Sequence, residues 1–329
     1  MTAPGVQAEP RGEVRAPPTA REQARSLRIP FAILLVVALV APFFIYPVFL
    51  MKILCFALFA CAFNLLIGYV GLLSFGHALF FGGAAYLAAH AAKVWGLPFE
   101  LAVLTGTATG ALLGLVVGWL AIRRQGIYFA MITLALAQMF FFFCLRAPFT
   151  GGEDGIQGVP RGKLLGVLSL DSNLTMYFVV LAIFLLGFLF IFRVVHSPFG
   201  QVLKAVRENE PRAVSLGYKS DHYKLIAFVL SATLSGLAGG TKAIVFQLAS
   251  LTDVNWPISG EVILMVLLGG LGTMFGPIVG AVVIVLVESY LAQLGGWVSV
   301  VQGALFVVCV LAFRRGIIGE LSRALRRPL

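Results

Sequence analysis

The stretch His196–Lys224 reads HSPFGQVLKAVRENEPRAVSLGYKSDHYK and forms a long polar island between two long apolar runs. Val202, Leu203, Val206, Val214 and Leu216 recur at helical spacing, with Lys204, Arg207, Glu208, Glu210 and Arg212 between them. Apolar residues on one side and charges on the other make an amphipathic helix. At the edge of a membrane, such a helix either lies in the lipid interface or docks a soluble partner. Pro211 interrupts the pattern, since proline fits a first helical turn but not a helix interior. The segment is therefore expected to break, with a second helix restarting near Pro211 and Asn209 or Glu210 at its N-cap. Gly217 is placed to end that helix in a left-handed conformation.

The composition around the island makes the bilayer the solvent. The chain has 329 residues, 60% hydrophobic and 12% charged, with a mean hydropathy of +0.98. A soluble domain carries roughly 25% charged residues. The four cysteines (Cys55, Cys61, Cys144, Cys309) lie in apolar runs without CxxC spacing and read as small buried residues. The four histidines do not cluster as metal ligands, and no metal site is expected. GVPRGKLL, from Gly158, lacks the spacing and the hydroxyl of a phosphate-binding P-loop, so the chain carries no P-loop of its own for hydrolysing ATP. The net charge of +10 fits basic cytoplasmic loops better than nucleic-acid binding.

A span needs about 20 apolar residues. The sequence predicts an all-α polytopic protein with ten spans: 30–48, 52–68, 76–93, 98–121, 126–146, 174–193, 224–246, 260–274, 276–293 and 298–314. Residues 1–29 read as a disordered N-tail, 30–315 as the transmembrane domain and 316–329 as a basic C-tail. With both termini in the cytoplasm, five basic residues of the N-tail, Arg123 and Arg124, six from Arg193 to Lys224 and five from Arg314 to the C-terminus face inward. These are 18 of the 24 Lys and Arg. The basic excess puts the 196–224 island in the cytoplasm and the loop Gly151-Gly152-Glu153-Asp154 outside.

Gly106, Gly110, Gly114 and Gly118 form a smooth stripe every four residues. Ala227, Ser231, Ser235, Gly239 and Ala243 form a second stripe, and Gly276 and Gly280 a shorter one. Small residues let helix backbones approach closely in lipid, so the stripes predict a tight bundle. Two glycine-rich segments, Gly68–His77 (GYVGLLSFGH) and Gly269–Pro277 (GGLGTMFGP), interrupt apolar runs and read either as short loops in water or as breaks within the membrane. Broken helices inside a transporter commonly mark its path. Candidate path residues are accordingly Asn64, Ser74, Phe75, Gly76, His77, Thr133, Gln138, Gly269 and Gly272; for each polar one the plainer reading is an interhelical hydrogen bond. Glu288, deep in an apolar run, is either solvated near a span end or paired with an inward-facing donor.

These segments together resemble a known family, the LivM-type permease subunits of bacterial ABC importers for branched-chain amino acids. The resemblance rests on FNLLIGYVGLLSFGHALFFGGAAYLAA (63–89), GIYFAMITLALAQM (126–139), TGGEDGIQGVP (150–160), SPFGQVLKAVRENEPRAVSLGY (197–218), YKLIAFVLSATLSGLAG (223–239), MVLLGGLGTMFGPIVGA (265–281) and FRRGIIG (313–319). It implies a LivH-type sister permease, two cytoplasmic ATPases of LivG/LivF type and a periplasmic substrate-binding protein, in a bacterial inner membrane. ATP and magnesium would be bound by the ATPases, and no cofactor is expected in this chain. The coupling role would fall on Arg207, Glu208, Asn209, Glu210, Ala213, Leu216 and Gly217. The binding protein would sit over Gly151–Asp154, where Glu153 and Asp154 read equally as turn residues.

Two other classes compete. A stand-alone secondary transporter or channel has no need of a docking element in the cytoplasm. A membrane-embedded enzyme would need a polar catalytic cluster at membrane depth, and the apolar runs carry neither paired carboxylates nor an HExxH motif. Branched-chain amino acids are the family's usual substrate, with urea and small aromatic or short-chain carboxylates as alternatives.

Overall fold

The computed structural model describes residues 28–164, 166, 168–291, 297–312 and 316–324. The expected N-tail lies almost wholly outside them. The chain runs through α1 (Arg28–Val40), α2 (Pro47–Ile67), α3 (His77–Lys93), α4 (Phe99–Ala121), α5 (Ile127–Arg146) and α6 (Asn173–Val195). Then come α7 (Pro198–Glu208), α8 (Glu210–Ser215), α9 (Ser220–Val245), α10 (Trp256–Gly269), α11 (Gly276–Leu291), α12 (Trp297–Ala312) and α13 (Ile317–Ala324). Each expected span falls on one of these helices. Five, namely α2, α4, α5, α6 and α9, are long and apolar enough to cross a membrane, and α10 and α11 are shorter apolar helices. The protein is a multi-pass, mostly helical membrane protein.

The largest boundary shifts have local causes. α2 begins at Pro47, earlier than expected, because proline opens its first turn after the extended Tyr46. α10 begins at Trp256, with Asn255 accepting from the Trp256 N–H (2.9 Å) and Pro257 in the first turn. It stops at Gly269, where Gly270 takes φ +124°.

α9 is the hub, packed against α4, α3 and α2. The two small-residue stripes meet different neighbours. A Cβ on Gly110 would lie 2.7 Å from the Ala232 carbonyl oxygen and 2.9 Å from Gly236 Cα, so the α4 stripe packs on Ala232 and Gly236 of α9. The Ala227–Ala243 stripe lies on another side of α9: Gly239 abuts the Phe81 backbone of α3, and Ser231 Oγ donates to the Ala62 carbonyl of α2 (2.6 Å). Small residues thus let α9 approach three helices at once.

Both glycine breaks are partly enclosed by the bundle. α3 and α10 have 17 and 14 residues, or about 25 and 21 Å at 1.5 Å per residue, less than the ~30 Å hydrocarbon core. Their N-termini meet: the Ala78 N–H donates to Ser259 Oγ (2.9 Å). Ser74 and His77 are fully buried, and Met274 and Phe275 nearly so. Gly71, Leu73 and Leu271 are exposed, so protein encloses one part of each break and leaves the other part open.

At the opposite end, β1 (Ile156–Gln157) pairs antiparallel with β4 (Leu248–Ala249), and β2 (Lys163–Leu164) with β3 (Leu168–Ser169). Arg161 ties this cap to the bundle by donating to Asn173 Oδ1 (2.8 Å) and to the Val245 carbonyl (3.0 Å). Glu288 is paired, with Lys52 Nζ 3.1 Å from its Oε2. The C-tail begins as α13, whose Ile318 is buried.

Candidate functional site

The 196–224 island folds as two short helices, broken where Pro211 demands it, and runs on into the first turn of α9. α7 starts from Ser197, whose Oγ accepts from the Gly200 N–H (3.4 Å), with Pro198 in the first turn. Its apolar side, Leu203 and Val206, is buried against the bundle. Asn209 then turns extended (φ −158°, ψ 91°) and caps α8 by accepting from the Arg212 N–H (3.1 Å), with Pro211 in the first turn. α8 closes in a Schellman motif: Tyr218 N–H bonds the Ala213 carbonyl (3.2 Å) and Gly217 N–H the Val214 carbonyl (2.9 Å). Gly217 holds φ +92°, which glycine adopts without strain.

This geometry splits the seven expected coupling residues. Ala213 is buried and Asn209 and Gly217 shape the backbone. Glu210 turns back to the bundle, accepting from Gln125 Nε2 (3.0 Å) and forming an ion pair with Lys224 at the start of α9. Partial burial opposes its charge, but hydrogen bonds from Lys224 and Ser220 win and hold the carboxyl below the usual range. Arg207 also turns back, as described below. Glu208 and Leu216 face outward, Leu216 at 71% exposure. Val214 and Tyr218, absent from the expected set, are exposed beside it. Val214 in the last turn of α8 and Leu216 and Tyr218 in its C-terminal cap thus form a small group of exposed apolar side chains. The helical pattern contained Val214, but the sequence did not show that α7 buries its apolar face while α8 displays its own.

Arg207 reaches the two glycine breaks. Its Nη1 donates to the Gly68 carbonyl oxygen at the end of α2. A Cβ on Gly272 would lie 3.1 Å from the same nitrogen, and one on Gly71 would lie 3.2 Å from Arg207 Cγ. Beneath it, Asn64 spans the breaks: its Nδ2 donates to the Thr273 carbonyl (2.9 Å) and its Oδ1 accepts from the Gly272 N–H (3.1 Å). Gly269 abuts Gly276.

The other candidate path residues form a packed junction deeper in the bundle. Thr133 Oγ1 accepts from the Phe75 N–H (3.2 Å), Ser74 Oγ accepts from the Gly76 N–H (3.2 Å), and Gly76 lies on the Thr133 backbone. His77 Nε2 is 2.9 Å from Ser231 Oγ, its ring is enclosed edge-on by Phe63, Phe80 and Phe228, and its Nδ1 has no partner among the described residues. Gln138 is separate from this junction: it is half-buried on α5 and makes no side-chain hydrogen bond among the described residues. No three His, Cys, Asp or Glu among the described residues come together as a metal site.

Residues 45–310 match the family model described as branched-chain amino acid transport system / permease component. The chain belongs to that family. Within it, the chain is 27% identical over 278 residues to the high-affinity branched-chain amino acid transport system permease proteins LivM of Salmonella typhimurium and Escherichia coli. Those alignments cover 78% of this chain and 65% of each relative, just under two thirds of the relatives' length. A probable branched-chain amino acid transport permease protein LivM of Methanocaldococcus jannaschii is 27% identical over 193 residues, 55% of this chain and 54% of the relative. No solved structure matches.

The family match covers every element described above from α2 to most of α12, including both breaks and the island. In this family member the 150–155 loop turns on Gly151, Gly152 and Gly155, all at positive φ. Glu153 and Asp154 project from that turn, exposed and without an ion pair among the described residues.

Proposed function

We propose that this chain is the transmembrane permease subunit of an ATP-driven, binding-protein-dependent importer that carries branched-chain amino acids across a bacterial inner membrane. The observation that carries the proposal is α8: a capped helix on the most basic loop, presenting Val214, Leu216 and Tyr218 to a partner with Glu208 and Arg212 at its edge. Such a knob fits a cleft in a cytoplasmic ATPase of LivG/LivF type, where apolar burial gives affinity and charges set register. A stand-alone carrier has no use for it.

ATP and magnesium belong to those ATPases in this reading. A LivH-type sister permease completes the path. Support for its contact face comes from α5, among the less buried of the spanning helices, where Gln138 sits without a side-chain hydrogen-bond partner among the described residues. An unpaired amide at bilayer depth is costly against lipid and favours protein. The exposed Glu153–Asp154 turn supports a seat for the periplasmic binding protein. The substrate class rests on family membership.

The test is to tag the chain in its native membrane, purify it in mild detergent and identify what accompanies it. A P-loop ATPase together with a second permease is the expected result. A chain that is folded, monodisperse and alone, with uptake insensitive to ATP depletion, overturns the proposal in favour of a self-sufficient carrier.

A further inference from the structure

We infer that the two glycine breaks form the inner gate of the pathway and that Arg207 is the latch that holds it shut. The inference rests on the reading of 196–224 as the ATPase-coupling element. Two independent features, the Asn64 clasp and the Arg207 guanidinium, meet at one place. The backbone of the second break is held to α2 by the two Asn64 hydrogen bonds. The end of α2 is held to α7 by Arg207 Nη1 on the Gly68 carbonyl. The same guanidinium lies against Gly272, so a single side chain from the coupling segment touches both breaks.

The chemistry suits a reversible contact. The hydrogen-bond partner of Arg207 is a neutral carbonyl, and among the described residues it makes no ion pair. Glu210, by contrast, anchors α8 to α9 through Lys224. A displacement of α7 therefore strips Arg207 from Gly68 without first breaking a charge pair. Glycine at 68, 71 and 272 leaves room for the guanidinium and for the backbones to meet: a Cβ on Gly68 would lie 2.8 Å from the Gly272 nitrogen. Further along the first break lies fully buried Ser74. Arg207 is thus a positioning residue that links partner movement to the opening of the breaks.

The test uses the complete assembly, co-expressed in inside-out membrane vesicles, with Ser74→Cys as reporter and Cys309→Ala as background. The native Cys55, Cys61 and Cys144 are buried. A membrane-impermeant maleimide reads access from the cytoplasmic side. Labelling is expected to be slow without nucleotide and faster with ATP. Arg207→Met is expected to raise the nucleotide-free rate by about 5- to 150-fold, the usual span of coupling between sites. Arg207→Lys, which keeps a donor for Gly68, stays slow, and so does Glu208→Gln. Arg207→Ala supplies the same comparison if the methionine variant fails to accumulate. ATP-dependent labelling that ignores all substitutions at 207 overturns the latch and leaves the importer reading intact. Labelling that ignores ATP in every variant, together with uptake by intact cells that ignores ATP depletion, overturns the importer reading itself.

Discussion

Asn64 and Thr273 lie 209 positions apart, and the Asn64 side-chain amide donates to the Thr273 carbonyl oxygen over 2.9 Å. The Asn64 oxygen takes the N–H of the preceding residue, Gly272, so one side chain satisfies two backbone groups just beyond the end of α10 that have no helical partners.

Asn64→Ala orphans both groups. Each unsatisfied buried polar group costs about 1–3 kcal/mol, so the variant is expected to unfold at a clearly lower temperature in detergent. Asn64→Asp keeps the acceptor for Gly272 and is expected to fall between the two. Thermal unfolding followed by circular dichroism ranks them; equal midpoints for all three would refute the clasp.

Gly110 is the tightest test of the α4–α9 seam. Gly110→Leu must displace the Ala232 carbonyl and Gly236 Cα, an overpacking that costs about 1–3 kcal/mol or more. Gly260→Ala on α10 meets nothing within 4 Å and serves as the control. Loss of monodisperse protein on size-exclusion chromatography is expected for the first and not the second.

Gly217→Pro cannot adopt φ +92° and loses the N–H that bonds Val214. Leu216→Asp puts a charge in the middle of the exposed apolar face of α8. Both proteins are expected to insert normally yet reduce ATP-driven uptake to the background of vesicles lacking the ATPases. Wild-type uptake by both would remove α8 from the coupling role.

Val214 is exposed and its side chain makes no polar contact. A Val214→Cys variant is expected to react with an impermeant maleimide in inside-out vesicles and not in right-side-out cells. The reverse pattern would invert the proposed orientation.

The Glu210 clasp carries a pH signature. Its carboxyl titrates below the ordinary value of 4.5. A depressed folded pKa means the contribution is complete above the unfolded value and is lost as pH falls through the folded one. A spin label at position 214 should keep its mobility from pH 7 to about 4.5 and loosen below. Glu210→Gln should be loose throughout; a label equally restrained in that variant would show that the clasp does not hold α8.

Much of this protein was readable from local patterns. Apolar runs located the helices because a bilayer tolerates little else, and Asn209, Pro211 and Gly217 marked the two-helix island because capping is decided within a few residues. Long-range pairing was not readable. Glu288 was visible as an anomaly, but nothing local named Lys52 as its partner. The path residues were singled out for polarity, yet Ser74, His77 and Thr133 proved to be packed around a buried turn, while Gln138 stands apart.

The amino-acid sequence by itself determined the membrane class, the positions of the helices and the two breaks, because hydrophobicity, propensity and turn chemistry act over one to twenty residues. The tertiary structure alone decided which way each side chain of the island points. Arg207 and Glu210 turn to the bundle and Leu216 turns away because the Gly68 carbonyl and the Lys224 ammonium, brought in by two other helices, lie beneath α7 and α8.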